Sequence, residues 1–338
     1  MEENIYYDTS YDVVTAGQDL LAATPAQLDK YGIPQRPDAA AGPHLYDFWK
    51  KLVSPRFSAK RPTFSSSLSP VVMGLREGRM ETKVVPSRRG TLESSLNWSG
   101  AVISPPFPKR IVFAVGSWKV PNVTQPSEPA LFTHSNDAKS LVWVGIDGHN
   151  GRLRTASLPQ IGTAQSPDGE NFAWWFWWSK SSDGPVLKID DFPIAPGDEI
   201  LAGLEVLTSE DVMYFIKNQS SGEYRSFLGK RQAHKGPIEP LGSTAEWVME
   251  RPTDPYSKLL HPLAAYDPVD FKYCLALAAD RPNAQARLVT LADNGRMIKM
   301  REAFASPYRT VYVSRAKRRH DPDGSIGVTC TFQDPAWP

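Results

Sequence analysis

The sequence predicts an all-β fold, a jelly-roll-type sandwich of two antiparallel sheets preceded by a partly helical N-terminal segment. Three observations lead there. From about Leu96 onward apolar residues recur with period two in many short runs; turn signals separate those runs; and no helix-period stretch lies between them. The 30 Pro and 23 Gly suit a chain of many turns, and 10 Trp with 12 Tyr suit strands better than long helices.

Residues 1–95 read differently from residues 96–338 and are expected to form a leader-like segment and linker. Residues 16–23 are compatible with a short helix. Thr24 to Tyr31 fits a second, with Thr24 as N-cap and Pro25 in the first helical position. A third is expected over Leu45 to Leu52, after the breaks at Pro34, Pro37 and Pro43. Ser54 to Ser94 is polar, rich in Ser, Arg and Pro, and reads as a linker. No strand of the sandwich is expected before about residue 95.

The strand-like runs are Trp98–Ile103, Ile111–Val115, Leu141–Ile146, Phe172–Trp178, Glu199–Thr208, Val212–Ile216, Ala245–Glu250, Ala286–Leu291 and Thr310–Ser314. Turn signals between them include Asp147-Gly148, Asn150-Gly151, Pro167-Asp168-Gly169, Ser182-Asp183-Gly184, Pro196-Gly197-Asp198, Asn294-Gly295 and Asp323-Gly324. The run Ala173-Trp174-Trp175-Phe176-Trp177-Trp178 is bulky on both faces. It therefore belongs to a central strand, one face in the inter-sheet core and the other lining a covered or concave surface.

Composition excludes several function classes. Lys plus Arg (38) nearly balances Asp plus Glu (37), so no global field steers the chain towards nucleic acid or an anionic membrane. The basic cluster Arg315, Lys317, Arg318, Arg319, His320 beside Asp321-Pro322-Asp323-Gly324 reads as a solvated hairpin tip. No apolar stretch approaches the roughly 20 residues of a membrane helix. The acidic first residues do not read as a secretory signal, so no export address is expected. The six histidines are scattered without paired-ligand spacing, so neither a metal nor another cofactor is expected. Cys274 and Cys330 are too few for a structural zinc site, and spacing alone leaves their pairing open.

The chemistry-bearing signal is polar residues inside apolar strands. In Thr244-Ala245-Glu246-Trp247-Val248-Met249-Glu250, alternation puts Ala245, Trp247 and Met249 on one face and Glu246, Val248 and Glu250 on the other. A mid-strand carboxylate beside a core-seeking Trp is costly unless it faces water or has partners. Leu158-Pro159-Gln160-Ile161-Gly162 places an amide in a short strand. Asp147 sits where a turn-initiating residue is ordinary. No Gly-x-Ser-x-Gly elbow and no glycine-rich phosphate loop occurs.

Taken in order, Asn97-Trp98-Ser99-Gly100, Gly116-Ser117-Trp118-Lys119-Val120-Pro121, Trp143-Val144-Gly145-Ile146-Asp147-Gly148, Leu158-Pro159-Gln160-Ile161-Gly162, Ala173-Trp174-Trp175-Phe176-Trp177, Ile194-Ala195-Pro196-Gly197-Asp198-Glu199-Ile200 and Ala245-Glu246-Trp247-Val248-Met249-Glu250 resemble the glutamic peptidases, or eqolisins. The resemblance implies a concanavalin-like sandwich with a substrate cleft on its concave face, acting without cofactor on a protein or peptide, as a monomer. Position by position, it implies Gln160 and Glu246 as the catalytic pair. It implies Trp98, Trp143 and Trp175 as aromatic substrate contacts and Asp147 as a supporting carboxylate. Glu246 would be the general base on water, and the Gln160 amide would donate to the oxyanion. Because Gln is neutral, Glu246 is expected to stay ionised in acid, with an acidic optimum. Phe172 and Phe176 stand where the family usually has carboxylates. Two other readings stay open: a non-catalytic peptide- or glycan-binding sandwich, and a glycoside hydrolase using Glu246 and Glu250.

Overall fold

In the computed structural model, residues 7–15, 17–54, 56–66, 85–87, 90–127, 137–149, 157–179, 186–231, 239–254, 259–304 and 309–334 are described. They form two stacked sheets, antiparallel apart from two short parallel pairings. The back sheet runs Tyr7–Asp8, Glu223–Lys230, Asp211–Asn218, Glu199–Val206, Arg110–Lys119, Val269–Ala279 and Arg287–Thr290. The front sheet runs Phe64–Ser66, Leu187–Ile189, Asn171–Ser179, Ser157–Gln165, Ser140–Ile146, Ala245–Glu250, Trp98–Ile103, Arg296–Phe304, Arg309–His320 and Ile326–Phe332.

The strand Val269–Ala279 belongs to both sheets. Val269–Phe271 pair with Ile326–Phe332 of the front sheet, and the residues from Lys272 onward pair with Arg110–Lys119 of the back sheet. The register slips between Lys272 and Leu275, where Tyr273 takes φ 51°, a bulge that turns the strand from one layer to the other.

Period-two patterning decides what each sheet buries. Ala245, Trp247 and Met249 face the inter-sheet core with Val142, Val144, Ile161, Trp175 and Trp177 from the front sheet, and Ala114, Trp118, Ile200, Ala202 and Tyr214 from the back. Two indoles are anchored there by hydrogen bonds, Trp247 Nε1 to the Val115 carbonyl (2.8 Å) and Trp118 Nε1 to Thr163 Oγ1 (3.0 Å). Cys274 and Cys330 are both buried and unpaired.

The N-terminal segment is more integrated than expected. The helix Pro25–Lys30 starts on the expected N-cap Thr24 with Pro at its start, and Gln27 closes a capping box there. The helix Pro43–Val53 buries Leu45, Phe48, Trp49, Leu52 and Val53, a stripe at i, i+3, i+4, i+7 and i+8. That stripe packs on the outer face of the back sheet, against Phe113, Val115, Leu201, Met213, Phe215, Tyr224, Tyr273 and Leu275. Its last turn is held by buried Lys217, which donates to the carbonyls of Lys51 (3.0 Å) and Ser54 (2.7 Å).

Several expectations are corrected. Residues 17–23 form turns, not a helix, and Gly17 takes the left-handed φ of 86°. Strands do occur before residue 95: Tyr7–Asp8 and Ser58–Ala59 join the back sheet, Phe64–Ser66 and Gly90–Ser95 the front. They add backbone hydrogen bonds at sheet margins, where pairing does not require an apolar period-two pattern. Residues 55, 67–84 and 88–89 of the expected linker lie outside the described residues, as do the turn signals Asn150-Gly151 and Ser182-Asp183-Gly184. The basic cluster lies, as expected, at the end of a hairpin: residues 315–320 finish the strand Arg309–His320 beside the turn at 321–324, with Arg315, Lys317, Arg318 and His320 exposed.

Candidate active site

The outer face of the front sheet carries the site. Residues directly opposite one another in a sheet project to the same side. One such row crosses six strands: Phe176, Gln160, Gly145, Glu246, Val102 and Arg296. Gln160 and Glu246 therefore share a face, but not as the immediate neighbours that an acid–base pair suggests. Gly145 lies between them, which puts their Cα atoms two strand spacings apart, roughly 9–10 Å.

Gly145 is required at this place. A Cβ there would meet the Trp143 ring edge at 2.9 Å and the Pro159 carbonyl oxygen at 3.1 Å. The bare backbone lets the Trp143 indole lean across the gap. Trp143 is fixed in turn: its Nε1 donates to Glu250 Oε2 at 2.8 Å, and Trp98 meets it edge-on with centroids 5.1 Å apart. The other Glu250 oxygen accepts from Asn97 Nδ2 at 3.1 Å.

Gln160 and Glu246 are fully buried, and among the described residues neither polar atom of the Gln160 amide and neither oxygen of Glu246 has a hydrogen-bond partner. Each buried orphan costs about 1–3 kcal/mol, so four in one row are a marked departure from ordinary packing. Burial pushes the Glu246 carboxyl well above the usual carboxylate range. The Asp147 charge adds to this, while the Thr244 hydroxyl, the His149 backbone amide and Arg296 pull the other way. The neutrality of Gln160 removes one like charge, while burial works against ionisation of Glu246.

Asp147 is buried in the left-handed conformation (φ 68°), which Asp tolerates. Its Oδ1 accepts from the Ser243 amide (2.6 Å) and its Oδ2 from the amides of Leu241 (2.6 Å) and Gly242 (3.0 Å). It thus clamps the loop that feeds through Thr244 into the strand bearing Glu246. Trp98 and Trp143 lie on the site's face. Trp175 does not: alternation turns it into the inter-sheet core, against Phe64, Tyr214 and Phe227. The aromatic side chains that the same strand presents to the site's face are Phe172, Trp174, Phe176 and Trp178, with Phe176 directly opposite Gln160.

Sequence reasoning missed three polar residues on this side of Glu246: Glu93, His149 and Arg296. Glu93 (1% exposed) contacts buried His149 through Oε2 and Nε2, and accepts from Arg296 Nη1 at 2.9 Å. A signal existed for His149, two residues past Asp147; Glu93 lay in a stretch read as linker. Among the described residues no three His, Cys, Asp or Glu side chains gather as a metal site would require.

Three comparisons place this architecture. A search of curated proteins returned no match. The fold matches scytalido-glutamic peptidase solved with a transition state analog inhibitor, at TM-score 0.51 and 16% identity over 70% of this chain and 98% of that one. It also matches SCP-B, a member of the Eqolisin family of peptidases in a complex with the tripeptide Ala-Ile-His, at TM-score 0.50 and 18% identity with the same coverage. At such identities these likenesses speak for the fold. The family description that matches by sequence spans residues 96–314, from the strand of Trp98 through that of Glu246 and beyond, and by it the chain belongs to the Peptidase A4 family, the glutamic peptidases.

Proposed function

We propose that this chain is an endopeptidase in which Glu246 and Gln160 act as a pair across Gly145. The observation that carries this reading is the row of four buried polar atoms without partners, two from each side chain, at the two flanks of a residue with no side chain. A scissile carbonyl and an attacking water would supply the missing hydrogen bonds. Ionised Glu246 takes a proton from the water as it attacks the carbonyl carbon. The Gln160 amide donates to the oxyanion, and Glu246 returns the proton to the leaving nitrogen as the C–N bond breaks. Both side chains are inaccessible here, so the reading requires the outer face to open to substrate. The tripeptide in SCP-B supports a peptide as the occupant.

Because Glu246 must ionise to act as base, the rate is expected to fall as pH drops through its pKa. The position of that limb reads the pKa of Glu246 in the opened, substrate-accessible site, where the desolvation that raises it in the closed face is relieved. The test is digestion of a denatured protein across pH by wild type, Glu246→Gln and Gln160→Ala. Glu246→Gln should lose about 100- to 10,000-fold, and Gln160→Ala on the order of 100- to 1,000-fold. A Glu246→Gln enzyme as fast as wild type would sink the mechanism.

A non-catalytic peptide-binding role has one observation in its favour, the aromatic Phe172 and Phe176 on the site's face. It predicts peptide binding without cleavage by wild type at any pH, and tests recovery of cleavage in Phe176→Glu. A glycoside hydrolase is disfavoured. Glu246 and Glu250 are four residues apart on one strand, about 13 Å, beyond either hydrolase spacing, and both Glu250 oxygens are already bonded.

A further inference from the structure

We propose that Glu93 completes the active site as a positioning residue, holding Arg296 and the His149 loop beside Glu246, so that the strand before residue 96 belongs to the catalytic machinery. The inference rests on the assignment of Glu246 as the proton carrier and extends it beyond residues 96–314, the span that matches the family.

Geometry carries the argument. The strand Gly90–Ser95 runs parallel to Arg296–Phe304, against the antiparallel habit of its sheet, and in that register Glu93 is opposite Ile298. Ile298 is on the site's face of the front sheet, packed with Trp98, Val102 and Trp143. Glu93 therefore projects to the side where Glu246 stands. There it grips both of its partners, His149 with one oxygen and Arg296 with the other.

Each partner bears on Glu246 by a separate route. Arg296 shares its cross-strand row with only Val102 between, roughly 9–10 Å away. His149 ends the short turn begun by Asp147 and Gly148, and its backbone amide is among the groups that favour the ionised form of Glu246. Gly148 (φ 94°) packs so closely on Leu158 that a Cβ would meet that side chain at 2.9 Å, which ties this turn to the strand of Gln160. The charged groups facing Glu246 are thus Asp147, Arg296 and, through Arg296 and His149, Glu93; Glu250 lies two rows away on the same face.

A buried ionic cluster is poor evidence for stability, because desolvation offsets much of the attraction. Glu93 and His149 are almost wholly buried where an apolar pair would serve packing as well. Their place beside Glu246 is better explained by orientation and charge. Glu93 neutralises Arg296, so the two exert opposite effects on Glu246.

That opposition supplies the test. The ionisation midpoint of Glu246 is read by carbon-13 NMR on full-length protein labelled at glutamate Cδ, with Glu246→Gln for assignment. Glu93→Gln frees the Arg296 charge and should lower the midpoint, and Arg296→Gln should raise it, each by about half to one pH unit. Glu93→Asp should restore the wild-type midpoint. In peptide hydrolysis, Glu93→Gln should lower kcat several-fold with KM little changed and shift the acid limb in the same direction as the NMR midpoint. Circular dichroism and thermal unfolding show which variants remain folded. Midpoints that stay put, or that move together in both variants, overturn the proposal, and so does a folded Glu93→Gln whose kcat equals that of wild type. The titration stands even where no cleavage is detected, so loss of the peptidase reading and loss of this one remain separable.

Discussion

The outer faces of the two sheets make opposite use of the same strand chemistry. On the back sheet the face is mainly apolar and covered by the helix Pro43–Val53. Of the polar groups that meet it, the Ser117 hydroxyl has no partner among the described residues, whereas Trp49 Nε1 donates to the Pro34 carbonyl (2.8 Å), the Tyr224 hydroxyl to the Gly32 carbonyl (2.7 Å) and Lys217 to two helix-end carbonyls. On the front sheet the face is as deeply buried, yet Gln160 and Glu246 are left without hydrogen bonds. One face is finished by the chain itself. On the other, the unmet hydrogen bonds of Gln160 and Glu246 are a stability cost, which the proposed peptidase reading assigns to substrate and water.

The largest test of this contrast is Trp49→Ala. Removing a buried indole from the finished face should cost about 3–5 kcal/mol, seen as a lower midpoint in thermal unfolding. A variant that unfolds at the wild-type temperature would show that the helix is not integral to the sandwich.

Next comes pH. Burial pushes the Glu250 carboxyl up to about 8. A folded-state pKa above the unfolded one means the folded chain holds its proton more tightly. The stability this provides is therefore complete below about 4.5 and is lost as pH rises towards about 8. The unfolding temperature should fall over that window by several degrees, and Glu250→Gln should flatten the fall. A slope unchanged in Glu250→Gln would mean that other groups set it.

At Gly145, alanine brings its Cβ onto the Trp143 ring edge and should cost about 1–3 kcal/mol, with loss of the gap between Gln160 and Glu246. Normal stability with normal cleavage would show that the gap is wider than the packing implies. The smallest effect has the opposite sign. Gln160→Met keeps the volume and removes two buried orphans, so it should stabilise by about 1 kcal/mol while cleavage is lost. Destabilisation would show that the amide is bonded in solution.

What the sequence revealed follows the same division. Trp247 and Trp175 point inward because period two admits no other reading next to apolar neighbours, so the sandwich strands are legible wherever that alternation is unbroken. Glu246 stood out for the same reason. Strands that mix charge into the pattern were missed, among them Glu223–Lys230 and Arg296–Phe304, because sheet pairing there is set by neighbours rather than by local hydrophobicity. Gly145 as the spacer between Gln160 and Glu246 depends on cross-strand register, which no single strand encodes. Glu93 was illegible since a parallel pairing with residues some 200 positions later brings it to the site.

The strand shared by both sheets has a consequence for how the chain is made. Tyr273, at its bulge, donates to Asp47 and accepts from Lys51 of the N-terminal helix, the latter across a sequence separation of 222 residues. A ribosome adding 5–20 residues per second needs about 10 to 45 seconds to close that distance. Until Arg110–Lys119 and residues 199–230 have been made, the apolar stripe of Leu45, Phe48, Trp49 and Leu52 has no sheet to dock on, and its contacts with Tyr273 and Leu275 come later still. The helix that finishes the back of the sandwich is thus made well before its seat is complete, and a nascent chain would gain most from a holdase chaperone at that stripe.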